Sequence, residues 1–163
     1  MCYIILAGNI LYNIITDMDY KEAQELFIKK AASALAPGGH VLITYSPGGH
    51  NLTQAEQSQV YSERLVVWEG TDSDGNHGKM TLLGGSYDAE TRLNKFVRRF
   101  ELTLANGEEI LQDINCVKHA ATLKQLHGWL HDADFVIELQ CEDYDKNPIN
   151  DDSCEVIIYA YKE

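Results

Sequence analysis

A chain of 163 residues is long enough for one well-buried core and too short for two ordinary domains. Its 25 acidic residues outnumber its 13 basic ones, and the net charge of −12 argues against a nucleic-acid partner, because each phosphate contact needs a lysine or an arginine. The hydrophobic content of 45%, without a run of about 18 apolar residues, predicts a globular protein that has no membrane partner.

A strand and a helix are predicted at the start of the chain. Residues 3–7 form a short apolar run, which is typical of a strand in a parallel sheet, and Gly8 and Asn9 end it. Asp19 is placed to cap a helix, with Glu22 three positions later in a capping-box arrangement. Apolar residues at helical spacing follow, so one face of this helix is expected to be buried.

The end of that helix and a second strand are predicted from the next residues. Pro37 cannot continue a helix, and Gly38 and Gly39 can adopt the positive φ angles of a helix C-terminus. An apolar, β-branched run over residues 40–45 then predicts a strand. A strand-helix-strand unit of this kind almost always makes a right-handed crossover between parallel strands.

The rest of the chain predicts antiparallel strands and one more helix. Asn106 and Gly107 stand between two alternating runs, which is a strong signal for a β-hairpin within an antiparallel meander. Thr122 and Gln125 form a second capping-box pattern before an apolar helix face. Two final strands are expected on either side of the acidic loop over residues 142–152.

The helix end and the strand that follows it resemble a signature of the class I S-adenosylmethionine-dependent methyltransferases. The resemblance is carried by the segment Leu35-Ala36-Pro37-Gly38-Gly39 and its apolar continuation. The order of the predicted elements is similar to the second half of that fold over nearly the whole chain. The acidic loop, with Glu142-Asp143-Tyr144, also resembles small-molecule N-methyltransferases of the glycine and sarcosine type.

This resemblance implies an α/β fold, namely the C-terminal part of a Rossmann-like methyltransferase sheet. In that fold, parallel strands are followed by a closing antiparallel pair, and here an antiparallel β-meander would be inserted between them. Residues 1–163 would then form a single partial methyltransferase domain. Its parts would be a core strand-helix-strand unit (1–47), the inserted meander (60–118), and a closing helix with two strands (119–163).

The resemblance also implies S-adenosylmethionine-dependent methyl transfer to a small-molecule acceptor, with an amine as a candidate acceptor. Gly8 and Asn9 are the candidate cofactor-binding residues, because ligands of open α/β sheets bind beyond the carboxyl ends of the strands. Glycine and asparagine also favour ordinary turns, which is the structural alternative. The candidate substrate-pocket residues, each of which is also a plausible core or hairpin residue, are Tyr45, Tyr61, Trp68, Tyr87 and Arg98.

The sequence assigns no catalytic residue and no metal ligand. Three polar patterns resemble a zinc site, a calcium loop and a hydrolase triad, but each lacks other residues that such a site needs. We therefore interpret all three as structural. They are a helical histidine pair (His127 and His131), a calcium-loop-like run (Asp143, Asp145 and Asn147), and a hydrolase-like trio (Ser46, Asp88 and His119).

The expected partners follow from the resemblance and from the cysteines. No glycine-rich cofactor loop is present in the sequence, so the cofactor-binding half is expected to be missing from this chain, and tight binding of S-adenosylmethionine is not expected of the chain alone. The strand over residues 3–7 would then have an exposed edge, which predicts a homodimer joined there or a complementing N-terminal half. The alternative function is a catalytically incompetent truncated or split methyltransferase module that serves as a binding or assembly partner.

The four cysteines form no Cys-x-x-Cys pair, which is typical of reduced thiols in a cytoplasmic protein.

Overall fold

The structure is a computed structural model that describes residues 2–47, 64–150 and 153–163. The chain divides into two compact units. The first unit comprises Met1–Asn51 and Lys118–Glu163, and the second unit comprises Leu52–Val117. None of the described helices is both long and apolar enough to cross a membrane.

The described residues form a mixed α/β fold with two sheets. In chain order the elements are β1 (Tyr3–Leu6), α1 (Tyr20–Ser33), β2 (His40–Tyr45), β3 (Leu65–Thr71), β4 (His77–Asp88), β5 (Leu93–Thr103), β6 (Glu109–His119), α2 (Leu123–His131), β7 (Phe135–Cys141) and β8 (Val156–Lys162).

The sheet of the first unit has the strand order β1-β2-β8-β7. β1 and β2 are parallel, as predicted for a strand-helix-strand unit, whereas β8 is antiparallel to both β2 and β7. Alternate residues of β2 and β8 are buried in the core because successive side chains point to opposite faces of a sheet. The buried residues that these strands and the two helices contribute to the core include Val41, Ile43, Val156, Ile158, Ile28, Leu126 and Leu130.

Capping and backbone geometry set the two ends of α1. The Asp19 carboxylate accepts hydrogen bonds from the backbone N–H groups of Lys21 and Glu22, at 2.9 and 3.1 Å, which confirms the predicted N-cap. Beyond the helix, Gly38 has φ +75°, in the left-handed region that glycine tolerates best. A Cβ atom on Gly39 would lie only 2.9 Å from the Ala36 carbonyl oxygen. Both glycines are therefore required for the chain to turn directly into β2.

The sheet of the second unit has the strand order β3-β4-β5-β6, with antiparallel pairs β3–β4 and β4–β5. The predicted Asn-Gly hairpin is present between β5 and β6. Gly107 has φ +85°, and the Leu104 N–H donates to the Glu108 carbonyl at 2.8 Å. The β4–β5 pairing is interrupted by a bulge between Leu82 and Gly85.

Strand β1 is an edge strand of the first sheet, in agreement with the exposed edge predicted for it. Tyr3 and Ile5 on β1 are 55% and 65% exposed. Tyr3 stacks on the His40 ring at a centroid distance of 5.4 Å, and His40 stacks in turn on Tyr159 at 5.0 Å. An apolar and aromatic surface therefore continues from the edge strand onto one face of the sheet.

Candidate cofactor and substrate site

The loop that follows β1 lies beside the end of β2, where the two parallel strands have their carboxyl ends. Gly8 and Asn9 both have positive φ angles, +66° and +56°. The Gly8 N–H donates to the Thr44 hydroxyl at 3.1 Å, and the Ser46 N–H donates to the Asn9 Oδ1 at 3.2 Å. These two bonds fix the loop to the crevice in which open α/β sheets bind their ligands.

The same geometry decides which atoms of Gly8 and Asn9 are open to a ligand. Gly8 is exposed, and no heavy atom lies within 4 Å of the position that its Cβ would occupy. Asn9 uses its Oδ1 for the bond to Ser46, so its Nδ2 is the atom that remains to donate to a ligand. The turn interpretation accounts for the Asn9 Oδ1 and for the backbone carbonyls of Gly8 and Asn9, which accept from the Asn13 side chain at 3.4 and 3.2 Å. The exposed Cα of Gly8 and the Asn9 Nδ2 are the groups that a cofactor could approach.

A buried polar cluster behind this loop was not predicted from the sequence. The Gln24 side chain of α1, only 1% exposed, donates from its Nε2 to the carbonyls of Leu11 and His119, both at 3.0 Å. Its Oε1 is 2.7 Å from His119 Nδ1. Because an amide oxygen can only accept, His119 Nδ1 is the donor in this bond. The sequence feature that could have indicated this cluster is Gln24 itself, a polar residue on the apolar face of α1.

Two of the candidate substrate residues cannot be assigned to a surface pocket: one is buried, and the other lies outside the described residues. Tyr45 is fully buried, and its hydroxyl donates to the Ala121 carbonyl at 3.0 Å. These contacts support the core interpretation of Tyr45. Tyr61 lies outside the described residues.

The other three candidates share one face of the second sheet. Residues that are directly opposite in an antiparallel pair point to the same face, as do residues two or four apart on one strand. The pairs that establish this common face are Trp68 with Met80, Met80 with Phe100, Leu82 with Arg98, and Tyr87 with Asn94. The sequence proposed Trp68, Tyr87 and Arg98 separately, and the register of the strands brings them together on this face.

This face combines aromatic rings with a cation. Trp68 is 47% exposed, and its indole lies over Gly78, where an added Cβ would be 2.8 Å from the ring. The Arg98 guanidinium carbon is 5.5 Å from the centroid of the Phe96 ring. The Arg98 Nε is buried and has no hydrogen-bond partner among the described residues. Tyr87 is 5% exposed. Such a surface can pack against a ring and bind an oxygen-rich group.

The histidine pair on α2 is held by neighbouring side chains. The His127 Nε2 contacts the Gln140 Oε1, and the His131 Nδ1 is 3.2 Å from Asp132 Oδ1. Within the described part of the chain, no group of three His, Cys, Asp or Glu side chains could hold a metal ion. These contacts support the structural interpretation of the histidine pair.

Asp143 and Asp88 both stabilise turns. Asp143 accepts hydrogen bonds from the backbone of Asp145 and Asn147 and from the Asn147 amide at 2.7 Å, and the amide bond lowers the pKa of the Asp143 carboxyl. Asp88 accepts from the backbone N–H groups of Glu90 and Thr91. A hydrolase triad needs a carboxylate at the histidine Nδ1, and in this protein that atom of His119 is bonded to Gln24.

Sequence comparisons give no relatives, since no protein-family model matches the chain and a search of curated proteins finds no match either. Solved structures do match. The CcbJ methyltransferase from Streptomyces caelestis has a TM-score of 0.65 at 13% identity, over 99% of this chain and 60% of that one. The structure of CalS10 with S-adenosylmethionine bound, an amino pentose methyltransferase from Micromonospora echinaspora, has a TM-score of 0.64 at 8% identity, over 98% and 58%. The sugar N-methyltransferase KedS8 from a Streptoalloteichus species has a TM-score of 0.64 at 10% identity, over 99% and 56%.

The likeness to these structures shows the fold of this chain. The two sheets and their helices follow the fold of S-adenosylmethionine-dependent methyltransferases, which confirms the class of fold that the helix end and the element order predicted. The chain spans about 60% of the length of the structures that it matches. It therefore has the fold of a large part of a methyltransferase.

Proposed function

We propose that the chain takes part in S-adenosylmethionine-dependent transfer of a methyl group to a small molecule, with an amine as the acceptor. One observation carries the proposal: in a chain with this fold, the exposed Cα of Gly8 and the amide of Asn9 lie at the carboxyl ends of two parallel strands. Because two of the similar structures are named as an amino pentose methyltransferase and a sugar N-methyltransferase, amino sugars are the first acceptors to test.

Gly8 and Asn9 would contact the cofactor through different groups. The cofactor would approach closely over the exposed Cα of Gly8, where no side chain stands in the way, and Asn9 Nδ2 would donate to one of its acceptors, since Asn9 Oδ1 is already bonded to Ser46. S-Adenosylmethionine, when bound, supplies an electrophilic methyl group on a sulfonium sulfur. The bond from the Gly8 N–H to Thr44 would hold this loop in place during the reaction.

The shared face of Trp68, Tyr87 and Arg98 is the surface that we propose for the acceptor. The half-exposed Trp68 indole would pack against a sugar ring, and the terminal nitrogens of the partly exposed Arg98 guanidinium would donate to an oxygen of the acceptor. Methyl transfer depends mainly on orienting the acceptor nitrogen and on keeping water away from it. The proposed contributions of these residues are therefore binding and orientation.

We further propose that residues 1–163 form one partial methyltransferase domain that is completed at the edge of β1. The exposed Tyr3 and Ile5 would be covered there by a strand from a complementing N-terminal half, which would also supply the remaining cofactor contacts. If the same edge serves only for assembly, the chain is instead a binding module without catalytic activity.

Calorimetric titration of the folded chain with S-adenosylmethionine and S-adenosylhomocysteine tests the proposed cofactor contacts. Asn9→Asp keeps the oxygen that accepts from Ser46 and removes the amide donor. We expect its affinity to fall by about tenfold or more, because a donor to the cofactor is replaced by a charged acceptor. Asn106→Asp introduces the same change of charge in a hairpin turn of the second unit and is expected to bind as the unchanged chain does.

Transfer of a labelled methyl group to a panel of amino sugars then tests the acceptor. Arg98→Ala is expected to raise KM for the acceptor and to leave cofactor affinity unchanged. A folded chain that binds neither cofactor nor product contradicts cofactor binding by this chain alone and favours the assembly module. Cofactor binding that Asn9→Asp leaves unchanged contradicts the assignment of Asn9.

A further inference from the structure

We propose that Gln24 is a positioning residue for the cofactor site. Its side chain holds the turn over residues 8–13 in the conformation that presents Gly8 and Asn9, so the turn is already ordered when a ligand arrives. The role of Gln24 in binding rests on the proposed function, whereas its effect on the turn does not.

The turn over residues 8–13 is compact because its two ends are bonded to each other. The Asn13 N–H donates to the carbonyls of Asn9 and Ile10, at 3.2 and 3.0 Å. The Asn13 side-chain amide donates to the carbonyls of Gly8 and Asn9, at 3.4 and 3.2 Å. Gly8 and Asn9 therefore do not move independently of the residues that follow them.

The bonds at the start of this turn are accessible to water. The bonds that join Gly8 to Thr44 and Asn9 to Ser46 are only partly buried, and the Asn13 side-chain bonds are exposed. Water competes for such groups, so each of these bonds adds little stability by itself, and segments held in this way open easily. A buried contact is needed to keep the turn in one conformation.

Gln24 of α1 supplies this buried contact. Its Nε2 donates to the Leu11 carbonyl at 3.0 Å, and Gln24 and Leu11 are both only 1% exposed. Leu11 lies two residues after Asn9 within the same turn, and its side chain belongs to the hydrophobic core. Since a hydrogen bond is stronger where water is excluded, this one is suited to fix the position of the turn.

The surroundings of Gln24 determine which end of its amide faces the turn. The carbonyl oxygens of Leu11 and His119 are both 3.0 Å from the Nε2 position, and His119 Nδ1 is 2.7 Å from the Oε1 position. The two carbonyl oxygens can only accept, so the group between them must be the NH₂ group. His119 therefore orients the amide of Gln24, and that amide holds the turn through Leu11.

Amide hydrogen exchange measured by NMR tests the effect on the turn. The reporters are the N–H groups of Gly8 and Asn13, whose hydrogen bonds break when the turn opens. Gln24→Met has a side chain of similar length and removes all three bonds of the amide. It is expected to raise both exchange rates by about tenfold or more, because the turn then opens more often.

Lys162→Met is the matched control for Gln24→Met. The Lys162 ammonium donates to the carbonyls of Ala32 and Leu35, at 2.8 and 3.0 Å, so this variant also removes bonds to backbone carbonyls, but at the other end of α1. It is expected to leave the exchange of Gly8 and Asn13 unchanged. Far-UV circular dichroism checks that every variant is folded.

His119→Phe provides a second way to disturb the amide of Gln24. It leaves Gln24 and Leu11 in place and removes the imidazole that orients the amide. It is expected to raise the same two exchange rates, by less than Gln24→Met does, and it decides the question if Gln24→Met does not fold. Exchange rates that neither variant raises, or that Lys162→Met raises equally, overturn the proposal.

Calorimetric titration with S-adenosylmethionine measures the consequence for binding. Gln24→Met is expected to bind about tenfold more weakly, since binding must then also order the turn, and Lys162→Met is expected to bind as the unchanged chain does. Faster exchange with unchanged affinity overturns the role of Gln24 in binding. An unchanged chain that binds no cofactor contradicts the proposed function, and the exchange of Gly8 and Asn13 then supports or overturns the effect of Gln24 on the turn by itself.

Discussion

At the residue scale, Gln24 joins three separate parts of the first unit. Its amide bonds to Leu11 after β1 and to the backbone and ring of His119 at the end of β6. Leu11 and His119 are both buried, so removing the amide would cost each of them hydrogen bonds that water cannot readily replace. The cluster therefore holds the peptide that follows the candidate cofactor loop.

We predict that Gln24→Leu destabilises the protein by about 2 to 4 kcal/mol, because it removes three hydrogen bonds from buried groups. Urea denaturation followed by circular dichroism measures this loss. Lys21→Leu, on an exposed position of the same helix, is the control and is expected to change stability by less than about 0.5 kcal/mol. An equal effect of the two substitutions would show that the cluster adds no stability.

Single residues differ in how far the sequence predicts their roles. Asp19 and Thr122 were correctly predicted as helix caps, because a cap depends only on residues that are adjacent in sequence. The burial of Tyr45 and its bond to Ala121 depend on chain segments that are 76 residues apart. No local pattern distinguishes such a core tyrosine from one that lines a pocket.

At the element scale, α2 begins with a complete capping box. The Thr122 hydroxyl accepts from the Gln125 N–H at 3.1 Å, and the Gln125 Oε1 accepts from the Thr122 N–H at 2.8 Å. α2 has only nine residues, so its caps and its packing through Leu126 and Leu130 must supply most of its stability.

We predict that Thr122→Ala destabilises the protein by about 1 kcal/mol through the loss of this cap. Thr122→Ser keeps a hydroxyl at the same place and is expected to retain most of the stability. Thermal or urea unfolding of the two variants measures the difference. If both variants unfold with the same free energy, the hydroxyl does not act as a cap.

The strands show that the position of a strand within its sheet is harder to predict from sequence than the strand itself. Alternation and the Asn-Gly turn predicted strands on both sides of Gly107, since both signals are local. The position of β6 at the end of its sheet, and the common face of Trp68 and Arg98, follow from pairing between strands. Pairing is a non-local property, and short patterns do not contain it.

At the scale of the whole molecule, the net charge of −12 makes the ionisation of carboxylates important for stability. Several carboxyls have a lowered pKa because hydrogen bonds favour their charged form. Asp72 is one of them: its lowered pKa is caused first by the side-chain bond from Asn76 and then by backbone N–H groups of the same turn. Its bonds hold the turn between β3 and β4.

We predict that the stability difference between the unchanged chain and Asp72→Ala depends on pH. A carboxyl whose pKa is lower in the folded state stabilises the protein above its unfolded pKa, and this contribution is lost as the pH falls through the folded pKa. The difference should therefore be constant near pH 7 and should decrease as the pH falls below the ordinary value of 3.8. Urea denaturation of both proteins at several pH values measures it. A difference that grows on acidification would contradict this assignment.

The likeness to methyltransferase structures at 8 to 13% identity has a physical basis. A fold needs an apolar pattern, caps and turns at the right places, and many sequences satisfy those requirements. The segment around Pro37, Gly38 and Gly39 meets such a requirement, so the class of fold was predictable from it. The acceptor is a separate matter, because side chains of a site vary on a constant fold.

The sequence by itself determined the local features of this protein. The caps at Asp19 and Thr122, the glycine-dependent turn before β2 and the hairpin at Gly107 all depend on residues within a few positions of one another. Tertiary structure alone decided the buried cluster around Gln24, the common face of the second sheet and the open edge of β6. Those features join residues that are far apart in the chain, and only strand pairing and core packing bring such residues into contact.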